Sequence, residues 1–182
     1  MNELAILDAI QLMHAPWLDP IVAAYTSASN VGQLWILLGI ILIVIPKTRK
    51  IGIAVLIAII IGAIVTSGLL KPLIMRPRPC DVNPWVPMIV ERPHGSSFPS
   101  GHTTAAFATF GAVLFSKSPK PLVIGVGIAA ALMAFTRLYC YVHYPTDVLA
   151  GLIVGLAAGF AAAKIVEHLH GKRNPEASKN RP

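Results

Sequence analysis

The sequence has little charge and little cysteine. Only 13% of its 182 residues are charged, about half of the roughly 25% that is usual in soluble domains, which argues against an ordinary soluble protein. With two cysteines and eight acidic residues, it shows no carboxylate pair and no His/Cys cluster with metal-ligand spacing. The sequence therefore predicts no bound metal and no other cofactor. The first ten residues, MNELAILDAI, lack a basic region, which does not fit a cleaved signal peptide.

Apolar sequence takes the place of charge, since 55% of the residues are hydrophobic. Five apolar segments stand out, at 31–45, 51–70, 100–116, 121–139 and 146–168. Several of them approach the roughly 20 residues that a helix needs to span a bilayer. We therefore expect an all-α fold, a polytopic transmembrane helical bundle in the cell membrane, with one membrane-embedded domain over residues 1–170.

The N-terminal region leaves two topologies open. Apolar and polar residues alternate at helical spacing over 3–14, which is typical of an amphipathic helix at the membrane interface. A short span near 17–30 would then give six spans and a cytoplasmic N-terminus, which is the expected arrangement. Without it, the bundle has five spans and its N-terminus outside.

The net charge of +7 could suggest a nucleic-acid partner, but the placement of the basic residues indicates a membrane instead. Ten of the fifteen Lys and Arg residues fall in three short regions, around 47–50, 117–120 and 164–181. The positive-inside rule places such regions in the cytoplasm. We therefore expect the bilayer as a partner, no nucleic acid, and His14, His168 and His170 on the cytoplasmic side.

Residues 71–99 form the only long polar connection, and the same topology places them outside the cell. Their proline density predicts an ordered lid loop without regular helix. The polar residues 171–182, GKRNPEASKNRP, predict a disordered basic tail in the cytoplasm.

Three separate stretches bring ionisable residues to the outer face in this topology. Such residues are costly at a membrane unless they are paired or bind a ligand, so together they indicate a functional site. The basic members suit a phosphoryl group, because lysine and arginine neutralise its charge and arginine offers a fork of donors. The three stretches contribute Lys71 and Arg78, then His102 with the adjacent Ser100 and Gly101, and finally Arg137, His143 and Asp147.

The remaining members of this set suit binding and proton transfer. Ser100 and Gly101 precede a helix whose free N–H groups and positive dipole end attract an anion. Asp147, four residues after His143, can accept one ring N–H and fix the tautomer, which leaves the other nitrogen free to attack. His102 can act as general acid on the leaving oxygen.

The sequence resembles the type 2 phosphatidic acid phosphatase family, in the superfamily that also holds bacterial acid phosphatases and vanadium haloperoxidases. The resemblance covers 71–147 and rests on three motifs in the family's order and spacing. They are a lysine separated by six residues from Arg-Pro (Lys71, Arg78, Pro79), Pro-Ser-Gly-His (Pro99 to His102), and Ser-Arg followed after five residues by His and after three more by Asp (Arg137, His143, Asp147). Thr136 stands where the family often has the serine.

The resemblance implies a metal-independent reaction in a helical bundle. It makes His143 the nucleophile that forms a phosphohistidine, Asp147 its orienting partner, and His102 the acid for the leaving group. The residues around the phosphate would be Lys71, Arg78, Ser100, Gly101, His102 and Arg137.

The expected function is that of a bacterial-type integral-membrane lipid phosphatase. It would hydrolyse a lipid phosphate or diphosphate at the outer face of the membrane. Undecaprenyl diphosphate, phosphatidylglycerol phosphate and phosphatidic acid all fit, because the motif residues address only the shared phosphoryl group. Phosphoryl transfer to an alcohol or lipid acceptor, and a transporter that binds phosphate without cleaving it, are the alternatives. The oligomeric state stays open.

Several residues near the site have no motif role. Arg76 is expected to be an exposed charge that anchors the interface, and His94 a surface histidine. Cys80 and Cys140 follow two motif arginines, so they could form a disulfide or stay as free thiols. Trp85 is expected either to rest on the outer leaflet or to pack in the lid.

Overall fold

The computed structural model describes residues 3–173, and these residues form nine α-helices and no β-strand. The helices are α1 (Glu3–Gln11), α2 (Asp19–Ser27), α3 (Gln33–Val44), α4 (Arg49–Ala63), α5 (Lys71–Ile74), α6 (Pro79–Val82), α7 (Gly101–Phe115), α8 (Lys120–Tyr139) and α9 (Pro145–Arg173). A 3₁₀ turn, Asn30–Gly32, precedes α3, and a π-helical segment, Ile64–Leu70, joins α4 to α5.

The bundle is built from apolar helices. Within residues 3–173, three helical stretches are long and apolar enough to cross a membrane: Arg49–Val82, Lys120–Tyr139 and Pro145–His170. Gln33–Val44 is apolar but shorter, and α7 coincides with the predicted segment at 100–116. The predicted transmembrane helical bundle is confirmed.

The N-terminal residues differ from the expected six-span arrangement. α2 has nine residues, which corresponds to about 14 Å and about half of the hydrocarbon thickness. The Asp19 carboxylate accepts from the hydroxyl of Tyr139, at the end of α8, and Asn30, after α2, contacts His102, at the start of α7. Residues 19–30 thus begin and end at one end of the bundle, which favours the five-span alternative.

The small residues of α9 allow it to pack closely on α7, the most extensive helix contact of the bundle. A Cβ at Gly155 would lie 2.7 Å from the carbonyl oxygen of Thr104 and 2.8 Å from the amide nitrogen of Ala108. Close backbone approach of this kind is typical of small residues in membrane helices.

The π-helical segment places Lys71 at the start of α5. Pro72 has no N–H to donate, and π-helical insertions are frequent near functional sites. Inside the segment, the hydroxyl of Thr66 donates to the hydroxyl of Thr104 on α7 at 3.1 Å, which fixes the segment against the neighbouring helix.

Two expectations about the polar regions need correction. The lid at 71–99 contains two short helices, α5 and α6, because Pro72 and Pro79 occupy first-turn positions, where a proline costs no helical hydrogen bond. The remainder of the lid has no helix. α9 runs three residues into the expected tail, to Arg173, and 174–182 lie outside the described residues.

Candidate active site

The candidate site forms where the N-terminal ends of α7 and α9 meet. The N–H of Ser100 donates to the carbonyl oxygen of Asp147 at 3.0 Å. Gly151, one turn further along α9, permits this approach, because a Cβ there would lie 2.7 Å from the carbonyl oxygen of Ser100. The lid joins the same place, since Arg78 donates to the carbonyl oxygen of Val142 at 3.1 Å. Three stretches that are distant in sequence therefore meet at one end of the bundle.

His143 and Asp147 form a buried pair at the start of α9. Nδ1 of His143 lies 3.5 Å from Oδ2 of Asp147, which is an ion-pair distance and longer than a well-formed hydrogen bond. The same carboxylate oxygen accepts from the N–H of Tyr144 at 2.9 Å. Asp147 is completely buried and His143 is 2% exposed. The carboxylate is thus in place to hold the histidine tautomer, in a contact that can shorten when substrate binds.

The surroundings of His143 keep its imidazole neutral. Burial lowers the pKa of His143 to about 4, and the positive charges of Arg137 and Arg78 act in the same direction. Asp147 opposes them through its close contact with Nδ1 and its negative charge. At neutral pH the imidazole is therefore unprotonated and can act as a nucleophile.

Arg78 lies beside the other nitrogen of this histidine. Its Nη1 is 3.4 Å from Nε2 of His143, and the guanidinium is buried, with 3% of the residue exposed. Its other side-chain partners are main-chain carbonyl oxygens, those of Val142, Gly95, His94 and Ser96, at 3.0–3.3 Å. Because neutral carbonyls position the guanidinium without cancelling its charge, it remains able to bind an anion.

Arg137 and Lys71 add two further cations. Arg137 is 4% exposed and donates to the hydroxyl of Thr26, while its Nε is buried without a hydrogen-bond partner in the described part of the chain. Lys71 lies within electrostatic range of Arg78, Arg137 and Asp147, and no hydrogen bond of its side chain occurs among residues 3–173. An unpaired buried donor is costly, and an anion between these cations would satisfy it.

The N-terminus of α7 faces the same cluster. The Ser100 hydroxyl caps the helix by accepting from the N–H and the hydroxyl of Thr103, at 3.4 and 2.9 Å. A Cβ at Gly101 would meet no atom within 4 Å, so the helix entrance is open. His102 follows and lies within electrostatic range of His143 and Arg137.

Two residues at the site carry no motif and were missed by the sequence interpretation. Oδ1 of Asn30 lies 3.3 Å from Nε2 of His102, and Thr26 is the hydroxyl partner of Arg137. Both belong to the stretch YTSASN at 25–30. This stretch is too polar for a membrane span, and that polarity is the sequence feature that could have indicated a role at the site.

The interpretation of Arg76 as an exposed interface anchor is wrong. Its side chain is 26% exposed and pairs with the buried Asp147, with Nη1 2.7 Å from Oδ1. His14, which was expected at the end opposite to the site, lies at the site end instead, because its ring stacks on Tyr139 near Arg137, with ring centroids 4.2 Å apart. Sequence spacing gave no information on either contact.

The smaller expectations at this end of the bundle have mixed outcomes. Cys80 and Cys140 are both buried free thiols, which favours the second of the two alternatives. His94 is exposed, as expected of a surface histidine. Trp85 is 90% exposed, which argues against a packed lid residue.

A cavity of about 210 Å³ opens beside His102, between the π-helical segment, α7 and the 3₁₀ turn. Small and apolar residues predominate in its lining, among them Ile59, Gly62, Ala63 and Ala105. An apolar cavity next to a polar cluster can take the hydrocarbon part of a ligand whose charged group binds the cations.

Comparison with known proteins decides the family. The PAP2 superfamily matches residues 52–170, which include every site residue selected from the sequence motifs. The chain belongs to the PAP2 superfamily. The resemblance inferred from the three motifs is confirmed.

The relatives of this PAP2 chain are lipid phosphatases by name. It is 37% identical to an undecaprenyl-diphosphatase of Sulfolobus acidocaldarius over 72% of the chain and 63% of that relative, so it spans less than two thirds of that protein. It is 36% identical to the undecaprenyl-diphosphatase BcrC of Bacillus subtilis, over 81% of the chain and 74% of BcrC.

Solved structures show the same fold. LpxE of Aquifex aeolicus superposes with a TM-score of 0.77 at 26% identity, over 88% of this chain and 94% of LpxE. A transmembrane PAP2-type phosphatidylglycerolphosphate phosphatase from Bacillus subtilis superposes with a TM-score of 0.71 at 27% identity, over 91% and 84% of the two chains.

Proposed function

We propose that the protein hydrolyses a lipid phosphate or diphosphate at the extracytoplasmic face of the cell membrane through a phosphohistidine on His143, without a metal. The observation that carries the proposal is the convergence of Arg78, Arg137 and Lys71 around the buried pair of His143 and Asp147. A neutral imidazole among cations is suited to attack a phosphorus atom whose oxygens those cations hold.

The reaction has two steps. In the first, Nε2 of His143 forms a bond to phosphorus, the bond from phosphorus to the leaving oxygen breaks, and His102, which must take up a proton when the anionic substrate binds, donates that proton to the leaving oxygen. In the second, water attacks the phosphohistidine, His102 accepts a proton from the water, and the N–P bond breaks to release inorganic phosphate. The site residues proposed to hold the phosphoryl oxygens are Lys71, Arg78, Ser100, Gly101 and Arg137.

Undecaprenyl diphosphate is the substrate that we favour. Two relatives carry it in their names, and the apolar cavity beside His102 lies on the side where the leaving group would depart. Phosphatidylglycerol phosphate is the next candidate, because a relative from Bacillus subtilis that is 30% identical is named phosphatidylglycerophosphatase B. Phosphatidic acid is the third.

The extracytoplasmic side follows from charge. The basic loop residues around 47–50 and 117–120 lie between consecutive bundle helices, at the ends opposite to the site. The positive-inside rule, which assigns basic loops to the cytoplasm, therefore supports the proposal that the site faces outside. A cysteine introduced at the exposed position of Trp85 should react with a membrane-impermeant thiol reagent in intact cells.

The direct test measures phosphate release from a panel of these lipids in detergent with a chelator present. We expect wild-type activity to persist and His143→Ala to be inactive. His168→Ala is the matched control, because His168 is exposed and lies about 30 Å along α9 from Asp147. Activity that chelation removes, or that survives His143→Ala, would refute the proposed mechanism.

A further inference from the structure

The two carboxylate oxygens of Asp147 have separate partners. Oδ2 faces Nδ1 of His143 at 3.5 Å and accepts from the N–H of Tyr144. Oδ1 accepts from Nη1 of Arg76 at 2.7 Å. The carboxylate is completely buried, and its contacts with Arg76 on one oxygen and with Tyr144 on the other fix its orientation. Arg76 therefore helps to keep one carboxylate oxygen directed at the histidine.

Arg76 is itself held from three sides. Nη2 donates to Oε2 of Glu3 at 2.6 Å, and Nη1 also donates to the hydroxyl of Thr146 at 2.7 Å. The guanidinium carbon lies 3.9 Å from the centre of the Tyr144 ring. A planar guanidinium with fixed donors on two nitrogens cannot be replaced by a lysine ammonium without loss of one of these contacts.

Glu3 connects this arrangement to the first turn of α9. Its Oε1 accepts from the N–H and from the hydroxyl of Thr146, at 2.9 and 2.7 Å. The N–H groups of a first helical turn have no partner within the helix, and an acidic side chain is favourable there. Burial raises the pKa of Glu3, but the hydrogen bonds from Thr146 and Arg76 outweigh it and lower the pKa below its usual value. A residue of α1 thus caps α9.

The contacts along α1 keep Glu3 in this position. Leu7 is completely buried, the Asp8 carboxylate accepts from the hydroxyl of Tyr141 at 2.7 Å, and the Gln11 amide donates to the carbonyl oxygen of Tyr139 at 2.9 Å. α1 is therefore docked over its whole length on the chain that connects α8 to α9, the connection that carries His143.

We propose that Arg76 and Glu3 are positioning residues for catalysis, which hold Asp147 so that its Oδ2 faces Nδ1 of His143. The role of His143 as nucleophile rests on the proposed function. α1 is then part of the scaffold that positions the catalytic residues. Arg76, which lies between Lys71 and Arg78 but is not a residue of their motif, acts on His143 through its contact with Asp147. A purely structural ion pair would stabilise the fold without affecting the imidazole.

The imidazole tautomer of His143 distinguishes a positioning role of Arg76 and Glu3 from a purely structural one. Asp147 holds the proton on Nδ1, so loss of its alignment should transfer population to the form with the proton on Nε2. The charged and titratable groups that act on His143 are Arg78 from the lid, His102 from α7, Arg137 from α8 and Asp147 from α9. None of these is altered in the variants below.

The experiment measures ¹⁵N chemical shifts of labelled histidine in detergent, with the His143 signals assigned by their loss in His143→Gln. The variants are Arg76→Ala, Arg76→Lys and Glu3→Gln. We expect a lower fraction of the Nδ1–H form in all three, largest for Arg76→Ala. Glu167→Gln removes the exposed pair with Lys164, 3.0 Å apart on α9, and should leave the tautomer unchanged.

Kinetics provide the second readout. In Arg76→Ala, kcat should fall on the order of 10²-fold, the loss typical of a misplaced reacting group, with KM nearly unchanged. An unchanged tautomer in Arg76→Lys and Glu3→Gln, with thermal unfolding midpoints equal to that of the wild type, would overturn the proposal, and so would a rise in KM at constant kcat. If the wild type released no phosphate at all, the proposed function would fail, while the tautomer measurement would still decide whether Arg76 and Glu3 position Asp147.

Discussion

Nη1 of Arg78 lies 3.4 Å from Nε2 of His143, so the side chain proposed to bind the phosphate and the proposed nucleophile face each other. A phosphoryl group between them would take the arginine donor for its oxygens and leave the nitrogen lone pair directed at phosphorus. This relationship links the charge of the site to the protonation state of the histidine.

The pH dependence of kcat/KM should show the effect of this environment. Burial, Arg137 and Arg78 lower the pKa of His143 to about 4, and attack requires the neutral form. We expect kcat/KM, which reports the free enzyme, to fall only as the pH is lowered through about 4, and not near the ordinary value of about 6.5. Initial rates between pH 3.5 and 8 measure this.

A charge variant provides the control for that profile. Arg137→Gln removes a cation that lowers the pKa of His143, so the acidic limb should move to higher pH, in addition to any loss of rate. A limb that stays in place in Arg137→Gln would show that another group controls it.

Trp85 in the lid should matter for lipid substrates alone. It is 90% exposed, and tryptophan favours the headgroup region, so it can hold the lid on the outer leaflet. We expect Trp85→Ala to reduce kcat/KM several-fold for a long-chain lipid phosphate in vesicles, since fewer apolar contacts reach the membrane. A short soluble phosphate ester is the matched substrate, and an equal loss on both would argue against membrane contact.

The packing of α7 on α9 predicts a difference between two glycines. A Cβ at Gly155 would lie 2.7 Å from a carbonyl oxygen of α7, whereas a Cβ at Gly125 on α8 would meet nothing within 4 Å. Gly155→Ala should cost about 1–3 kcal/mol of unfolding free energy, the usual cost of overpacking. Gly125→Ala should be neutral or stabilise by up to about 1 kcal/mol. Thermal unfolding in detergent compares the two, and equal midpoints would contradict the close packing.

The sequence predicted the parts of the structure that depend on local pattern. Hydrophobic length located the longer helices α3, α4, α7, α8 and α9, but not the short α5 and α6 of the lid. Motif spacing selected Lys71, Arg78 and Asp147, which the structure brings to one end of the bundle. The long helices could be located because span length is a property of a single segment.

Contacts between distant segments could not be predicted in this way. Glu3 and Arg76 are 73 positions apart, and their pairing depends on where α1 docks after the bundle has formed. Asn30 meets His102 only because residues 19–30 return to the end from which they started. Because residues 19–30 fold back, α1 also lies at the site end. A hydropathy window cannot distinguish such a folded-back segment from a short membrane span.

The central claim is that His143 forms a covalent bond to phosphorus, and a trapping experiment tests it most directly. The enzyme is mixed with lipid diphosphate carrying a ³²P-labelled terminal phosphate, quenched in base during turnover, digested and analysed by mass spectrometry. The account predicts an acid-labile, base-stable phosphate on His143 that is absent from His143→Gln and retained in His168→Ala. Label on another residue, or full turnover with no labelled protein at any quench time, would contradict it.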